Sequence, residues 1–324
     1  MSHKVSANSQ RIPADCGYLH RVTSYSATVV GQLARDLVLS VDDLPDAGRS
    51  ADAAGRREQL GGKGANQAVA LAQLGVRPRL VAVAGDDVIG DVLLDQARAD
   101  GIDVTAVVRR RGTLTGLVVE ILQADSTWRY VQDLPLLTAA DLPPDVARTD
   151  AVLVQMQQPA AATVPAARAG HDAGRLVVID GVPPDEILRY AGVVRADDQE
   201  AELLFGVPAE RDALLGPARD LLSRGPELVA VALAAGGGNL FVWADGDVVV
   251  PLTDEKVVDT TGGGDAFVAS LTAALLRGAD YPEAACWATA ASGATVGHAS
   301  GRPALTLAAL DARVATLRKE LADD

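Results

Sequence analysis

Asp259-Thr260-Thr261-Gly262-Gly263-Gly264-Asp265-Ala266-Phe267 follows the apolar pair Val257-Val258 and leads into a run with Leu271, Leu275 and Leu276 at helical spacing. Three successive residues without side chains at a helix start let backbone N–H groups approach an oxyanion, and the helix dipole adds partial positive charge at the same point. Gly262, Gly263 and Gly264 therefore read as an anion hole. Asp265 comes directly after it, beside any phosphoryl group held there, where a carboxylate can take the proton of an attacking alcohol. Taken alone, the stretch is better read as a glycine-rich turn with an N-capping Asp. A second motif shifts that balance.

Gly61-Gly62-Lys63-Gly64-Ala65-Asn66-Gln67 also stands at a strand-to-helix passage. Close backbone approach at the glycines, with Lys63 and Asn66 reaching back, makes a ledge for a polyol; a tight turn with a solvated Lys and a capping Asn is the plainer alternative. Neither motif satisfies GxxxxGK[ST] or GxGxxG, which disfavours Walker-type and dinucleotide-binding readings.

Outward from the motifs, apolar runs at 27–30, 80–84, 104–108, 152–154, 176–179, 193–194 and 228–233 alternate with helical stretches such as 65–74 and 87–99. In 87–99 the residues Val88, Ile89, Val92, Leu93 and Ala97 carry the helical spacing. Such alternation demands a mostly parallel sheet covered on both faces, so the expected fold is α/β: a three-layer αβα, doubly wound, mostly parallel sheet. Two segments, about 37–60 and 113–132, break the pattern and read as antiparallel strands of a small β-sheet lid, which keeps water from a phosphoryl group. The expected organisation is a loosely ordered arm over 1–25 and one domain over 26–324. Leu117, Val119 and Ile121 on an exposed lid leave an apolar edge, so a homodimer through the lid strands is expected.

Composition agrees and excludes other classes. The 324 residues are 48% hydrophobic but only 3% aromatic, so small aliphatic side chains must build the core, as close helix–sheet layers require. A formal net charge of −14 argues against nucleic acid or an anionic membrane as partner. Cys16 and Cys286 fall in no disulfide or zinc spacing, and the opening stretch lacks the apolar run of a signal peptide, so a reducing, cytoplasmic setting is expected. No segment approaches about 18 apolar residues without charge, so no membrane span is expected.

The two motifs together resemble those of the PfkB (ribokinase) family of carbohydrate kinases, and Gly85-Asp86-Asp87-Val88-Ile89-Gly90 is similar to a third family segment. GGKGANQ resembles the ribokinase branch in particular. The resemblance implies an ATP-dependent sugar kinase with Asp265 as catalytic base and Gly262, Gly263 and Gly264 as the anion hole. It implies substrate contacts from Asp36, Gly62, Lys63, Asn66 and Asp265, with Ala34 and Gln157 at two further sugar-contact positions. On the nucleotide side it implies Asp197, Glu200, Ala232, Ala234, Gly236, Gly237, Gly264 and Thr289, with Glu200 helping to place hydrated Mg2+ on the ATP phosphates. Asp259 and Thr261 resemble two ligands of a potassium site, the remainder coming from 295–301.

Four departures qualify this. Asp197 stands where the family has Asn, and Ala234 where it has Gly. Ala34 stands where ribokinase has Asn, and Gln157 where it has a sugar-binding Glu, so a related polyol, another pentose or a bulkier furanoside is expected to be phosphorylated better than ribose. Two rivals remain open here: a nucleoside kinase, whose base would need the scarce aromatics Trp128 and Tyr130, and a kinase-fold binding protein without turnover.

Overall fold

The structure, a computed structural model, describes residues 24–323 apart from 126, 254, 255, 299 and 300. The expected arm, with Cys16, therefore falls almost entirely outside the described residues. Ser26–Val30 (β1) starts the main sheet; Ala34–Val41 (β2) and Gly55–Gly61 (β3) leave it, and Lys63–Gln73 (α1) leads back to Arg77–Val81 (β4). Val83–Gly85 (β5), Val88–Ala99 (α2) and Val108–Arg110 (β6) precede Gly116–Gln123 (β7) and Trp128–Asp133 (β8). Parallel strands then alternate with helices: Ala151–Gln155 (β9), Ala160–Asp172 (α3), Leu176–Asp180 (β10), Asp185–Leu188 (α4), Val193–Ala196 (β11), Asp198–Phe205 (α5), Arg211–Leu222 (α6) and Leu228–Ala232 (β12). The hairpin Asn239–Trp243 (β13) and Gly246–Val250 (β14) is followed by Gly263–Leu276 (α7), Tyr281–Val296 (α8) and Leu307–Asp323 (α9).

Among the described residues the main sheet has eight strands in the order β14-β13-β12-β11-β10-β9-β1-β4, antiparallel only at the β12–β13 and β13–β14 edge. Side chains alternate between its faces: Ala27, Val29 and Leu153 pack with α1, α7 and α8, whereas Val30, Val152 and Val154 pack with α3 and α6. Both faces are covered, which is why these strands read as unbroken apolar runs. Alanines such as Ala269, Ala273, Ala288 and Ala291 let the buried helices approach closely. Each CH2 buried in this way contributes about 0.8 kcal/mol.

The lid is a four-stranded sheet in the order β3-β2-β7-β8. Several expectations change here. β2 begins at Ala34, so Ala34 and Asp36 lie on the lid rather than on the first core strand, and β2 pairs with β7 in parallel, not antiparallel. The run 80–84 splits between β4 in the main sheet and β5, which pairs only with β6. Residues 104–107 form turns, and their burial, not a strand, explains the apolar run: Val104 and Ala106 are both buried. On α2 the core side is Leu93, Leu94 and Ala97, and Val88 is 74% exposed because Asp87 caps the helix and turns its first residue outward. The β13–β14 hairpin lies outside the expected strands.

Candidate active site

β1 sits between β4, which follows it in the chain, and β9, which comes after the lid. The connections diverge on either side of β1, and such a switch point opens a crevice at the carboxyl ends of the strands. Into that crevice point the N-termini of α1 and α7 and the ends of β10 and β11.

Asp265 is in the first turn of α7 and only 6% exposed. Asn66 Nδ2 donates to its Oδ2 at 3.2 Å, and Gln67 Nε2 donates to its Oδ1 at 3.3 Å. Gln67 also donates to Asp180 Oδ2 at 2.8 Å, and Arg195 donates to Asp180 Oδ1 at 3.0 Å. Arg195 in turn lies against the anion hole, since a Cβ on Gly264 would come within 2.8 Å of its Nη2. Lys63 Nζ stands 3.7 Å from Glu200 Oε1, and Arg195 Nη1 3.9 Å from Glu200 Oε2. Two cations and three carboxylates thus converge beside Gly264.

Burial pushes the Asp265 carboxyl up to about 7; Asp180 adds to the rise, while Lys63 and the Asn66 and Gln67 hydrogen bonds oppose it. Burial works against the Lys63 ammonium, but Asp180, Asp265 and Glu200 outweigh it and hold its pKa above the ordinary value. Asp36 is also pushed up to about 7, by burial first and then by Asp265 and Glu120. Its carboxyl covers Gly61, where a Cβ would overlap it, and Gly62 N–H bonds to it. Asp36 Oδ1 is buried without a hydrogen-bond partner among the described residues.

A base that titrates near 7 works only above that value. If Asp265 takes the proton, kcat/KM for the acceptor should fall about tenfold per unit below pH 7 and level off above it. A profile flat from pH 5.5 to 8 would contradict this role.

The lid docks on the glycine-rich loop. Trp128 Nε1 donates to Thr260 Oγ1 at 3.0 Å, Thr261 Oγ1 donates to Glu120 Oε2 at 3.4 Å, and the Arg57 guanidinium is 3.6 Å from Asp259 Oδ2.

Residues 25–306 match the pfkB family carbohydrate kinase description. The chain belongs to this family. A bifunctional ribokinase/ribose-5-phosphate isomerase A from Fructilactobacillus sanfranciscensis is 27% identical over 259 residues, 76% of this chain but 48% of that protein, so this chain spans about half its length. Ribokinase from Haemophilus influenzae is 28% identical over 281 residues, 83% of this chain and 91% of that protein. The structure of Arabidopsis thaliana ribokinase complexed with ribose and ATP is similar with a TM-score of 0.78 at 24% identity, covering 90% of this chain and 99% of that one. As a pfkB-family carbohydrate kinase the protein is a phosphotransferase with an alcohol group as acceptor.

Within this pfkB kinase the structure brings Asp265, Gly264, Asn66, Lys63, Glu200 and Asp36 around one crevice. Gln157 is exposed and accepts from Gln32 Nε2 at 3.2 Å, and Ala34 is fully buried. Asp197 and Glu200 form a capping box on α5, with Glu200 N–H donating to Asp197 at 2.8 Å and Asp197 N–H to Glu200 at 3.0 Å. Asn and Asp cap equally well, and Asp197 also faces Arg195, so its extra charge has a partner. Ala232 ends β12, and Ala234, Gly236 and Gly237 form the open turn after it. Thr289 is 1% exposed and accepts from Asn239, the strand partner of Ala232, so it braces that turn from behind.

Asp180, Arg195, Gln67, Arg57 and Glu120 are absent from the residues read off the sequence. The signal was there for the first two: an acid closing Leu176–Asp180 and an arginine inside Val193–Ala196 are charges in fully buried strands. The described residues contain no cluster of three or more His, Cys, Asp or Glu that could hold a metal, and no helix long and apolar enough to cross a membrane.

Proposed function

We propose that the protein transfers the γ-phosphate of ATP to a primary hydroxyl of a sugar, a pentose or related furanose or polyol. The observation that carries this is Asp265, buried at the N-terminus of α7 behind three glycines and held by Asn66 and Gln67 from the other motif helix. Asp36 and Asn66 orient the acceptor, and Asp265 removes the proton from the attacking hydroxyl as it approaches the phosphorus in line. The N–H groups at the start of α7, with Arg195 and Lys63 alongside, hold the charge on the phosphoryl oxygens.

Glu200, its side chain 17% exposed beside Lys63, fits a role in placing a hydrated magnesium ion held mainly by nucleotide phosphates. Such an ion neutralises phosphate charge. Asp259 Oδ2, buried without a hydrogen-bond partner among the described residues, with Thr261 fits a potassium ion, although Arg57 already supplies positive charge there. The half-buried outer face of the lid at Leu117, Val119 and Ile121 supports a homodimer through these strands. A nucleoside acceptor is the second reading, favoured by the stacked Trp128 and Tyr130, 5.1 Å apart and both part-exposed on the lid.

ADP release with a panel of pentoses, polyols and nucleosides, in potassium and in lithium buffers, tests these readings. The expected result is turnover of a sugar or polyol with higher kcat/KM than ribose, faster in potassium. Turnover of nucleosides alone moves the assignment to the second reading, and no ADP above background with any acceptor removes both.

A further inference from the structure

Strand register fixes which lid residues look into the crevice. Val38 pairs with Arg57 and with Glu120, and Asp36 pairs with Gln59 and with Val118. Residues two apart on a strand share a face, so Asp36, Arg57 and Glu120 lie on one face of the lid, and Leu117, Val119 and Ile121 lie on the other. The inner face is the one that closes on the glycine-rich loop, because Glu120 meets Thr261 and Arg57 meets Asp259 across it.

Glu120 is an unexpected residue for a simple cover. It is 6% exposed, its Oε2 has only the long 3.4 Å bond from Thr261, and its Oε1 is buried with no hydrogen-bond partner among the described residues. A desolvated carboxylate oxygen without a donor is costly, and an apolar side chain like those around it on β7 would close the lid without that cost. Asp36, diagonal to it on the same face, has a buried oxygen in the same condition. Two carboxyl oxygens without a hydrogen-bond partner among the described residues thus stand on one wall of the crevice, with the Arg57 guanidinium as the nearby positive charge.

We propose that Glu120 is a specificity residue of the acceptor site, its Oε1 accepting a hydrogen bond from a second donor group on the acceptor, a hydroxyl or an ammonium, beyond the hydroxyls that Asp36 holds. The acceptor class is then a compound with donors at both places: a polyhydroxylated or amine-bearing sugar or polyol. This rests on the kinase reading above and narrows it.

The test uses the full chain with Glu120→Leu and Glu120→Gln. Acceptor binding to nucleotide-free protein is measured by titration calorimetry across the same panel, extended with amino and deoxy analogues; turnover is measured separately. Loss of a hydrogen bond to a charged group should weaken binding of the best acceptor about tenfold or more in Glu120→Leu. KM for the acceptor should rise by the same factor, with kcat within about threefold and KM for ATP unchanged. The deoxy analogue lacking the second donor should bind wild type and Glu120→Leu alike. Glu120→Gln separates the two donor types: it should weaken an ammonium-bearing acceptor far more than a hydroxylated one, since it keeps an acceptor oxygen but no charge. If Glu120→Leu does not fold, the Glu120→Gln series carries the test alone. The proposal is overturned if the variants bind the best acceptor as wild type does, or if affinity for every analogue, kcat and ATP affinity fall together, as loss of a mere lid latch would cause. It is also overturned if wild type binds no panel member. Binding without turnover removes the kinase reading and leaves the Glu120 comparison to be decided by affinity.

Discussion

Asp265→Asn should lower kcat by about 10³-fold or more while ATP still binds, because the isostere keeps shape and hydrogen-bond reach but cannot accept the proton. Nucleotide affinity, read by calorimetry or thermal shift, is the internal control. Stability should move the other way. Burial raises the folded-state pKa of Asp265 from the ordinary carboxylate range to about 7, so the stability linked to its protonation is fully present below about pH 4 and is lost as pH rises through 7. The asparagine variant does not have that loss, so its advantage in Tm should be larger at pH 8 than at pH 4. A variant that keeps near-normal kcat on the best acceptor shows that the base lies elsewhere.

Gly262→Ala should cost the second largest effect, about 10²-fold or more in kcat, through displacement of the anion hole. Gly262 caps α7 with φ of 74°, a conformation that costs alanine roughly 1–2 kcal/mol. In addition its new Cβ would overlap the Gly301 carbonyl oxygen and lie 2.9 Å from the carbonyl carbon, both backbone atoms that no rotamer change can move. Gly278→Ala separates the two causes, since Gly278 has φ of 83° but nothing within 4 Å of an added Cβ. It should lose stability and keep kcat. Equal kcat in Gly262→Ala and wild type would mean that the start of α7 does not hold the transferred group.

The candidate catalytic centre was legible because its residues are local. Gly262 to Asp265 and Gly61 to Gln67 each place a backbone conformation and a side chain within one turn of a helix start, so the spacing pointed to an anion hole and a polar ledge, and the resemblance of the two together supplied their roles. The layered fold was legible for the same reason, through unbroken apolar runs such as Ala151–Gln155 between helical stretches.

Contacts between distant segments were not legible. Asp180 and Arg195, 15 residues apart, become one buried pair only because β10 and β11 are neighbours in the sheet, and Gln67 of α1 links them to Asp265 by hydrogen bonds. The packing of α8 against β13, which gives the Thr289 hydroxyl the Asn239 amide as a donor, was equally invisible. Glu120 looked like one polar residue in an alternating strand. Which face of β7 meets the crevice depends on parallel pairing with β2 and on the lid closing over Asp259 and Thr261, more than a hundred residues away. A strand's alternation names two faces but not which one is inside; by itself the sequence determined the fold class and the two glycine-rich helix starts, and only the tertiary structure decided which lid side chains face the crevice, because that choice is made by pairing between segments whose separation carries no periodic signal.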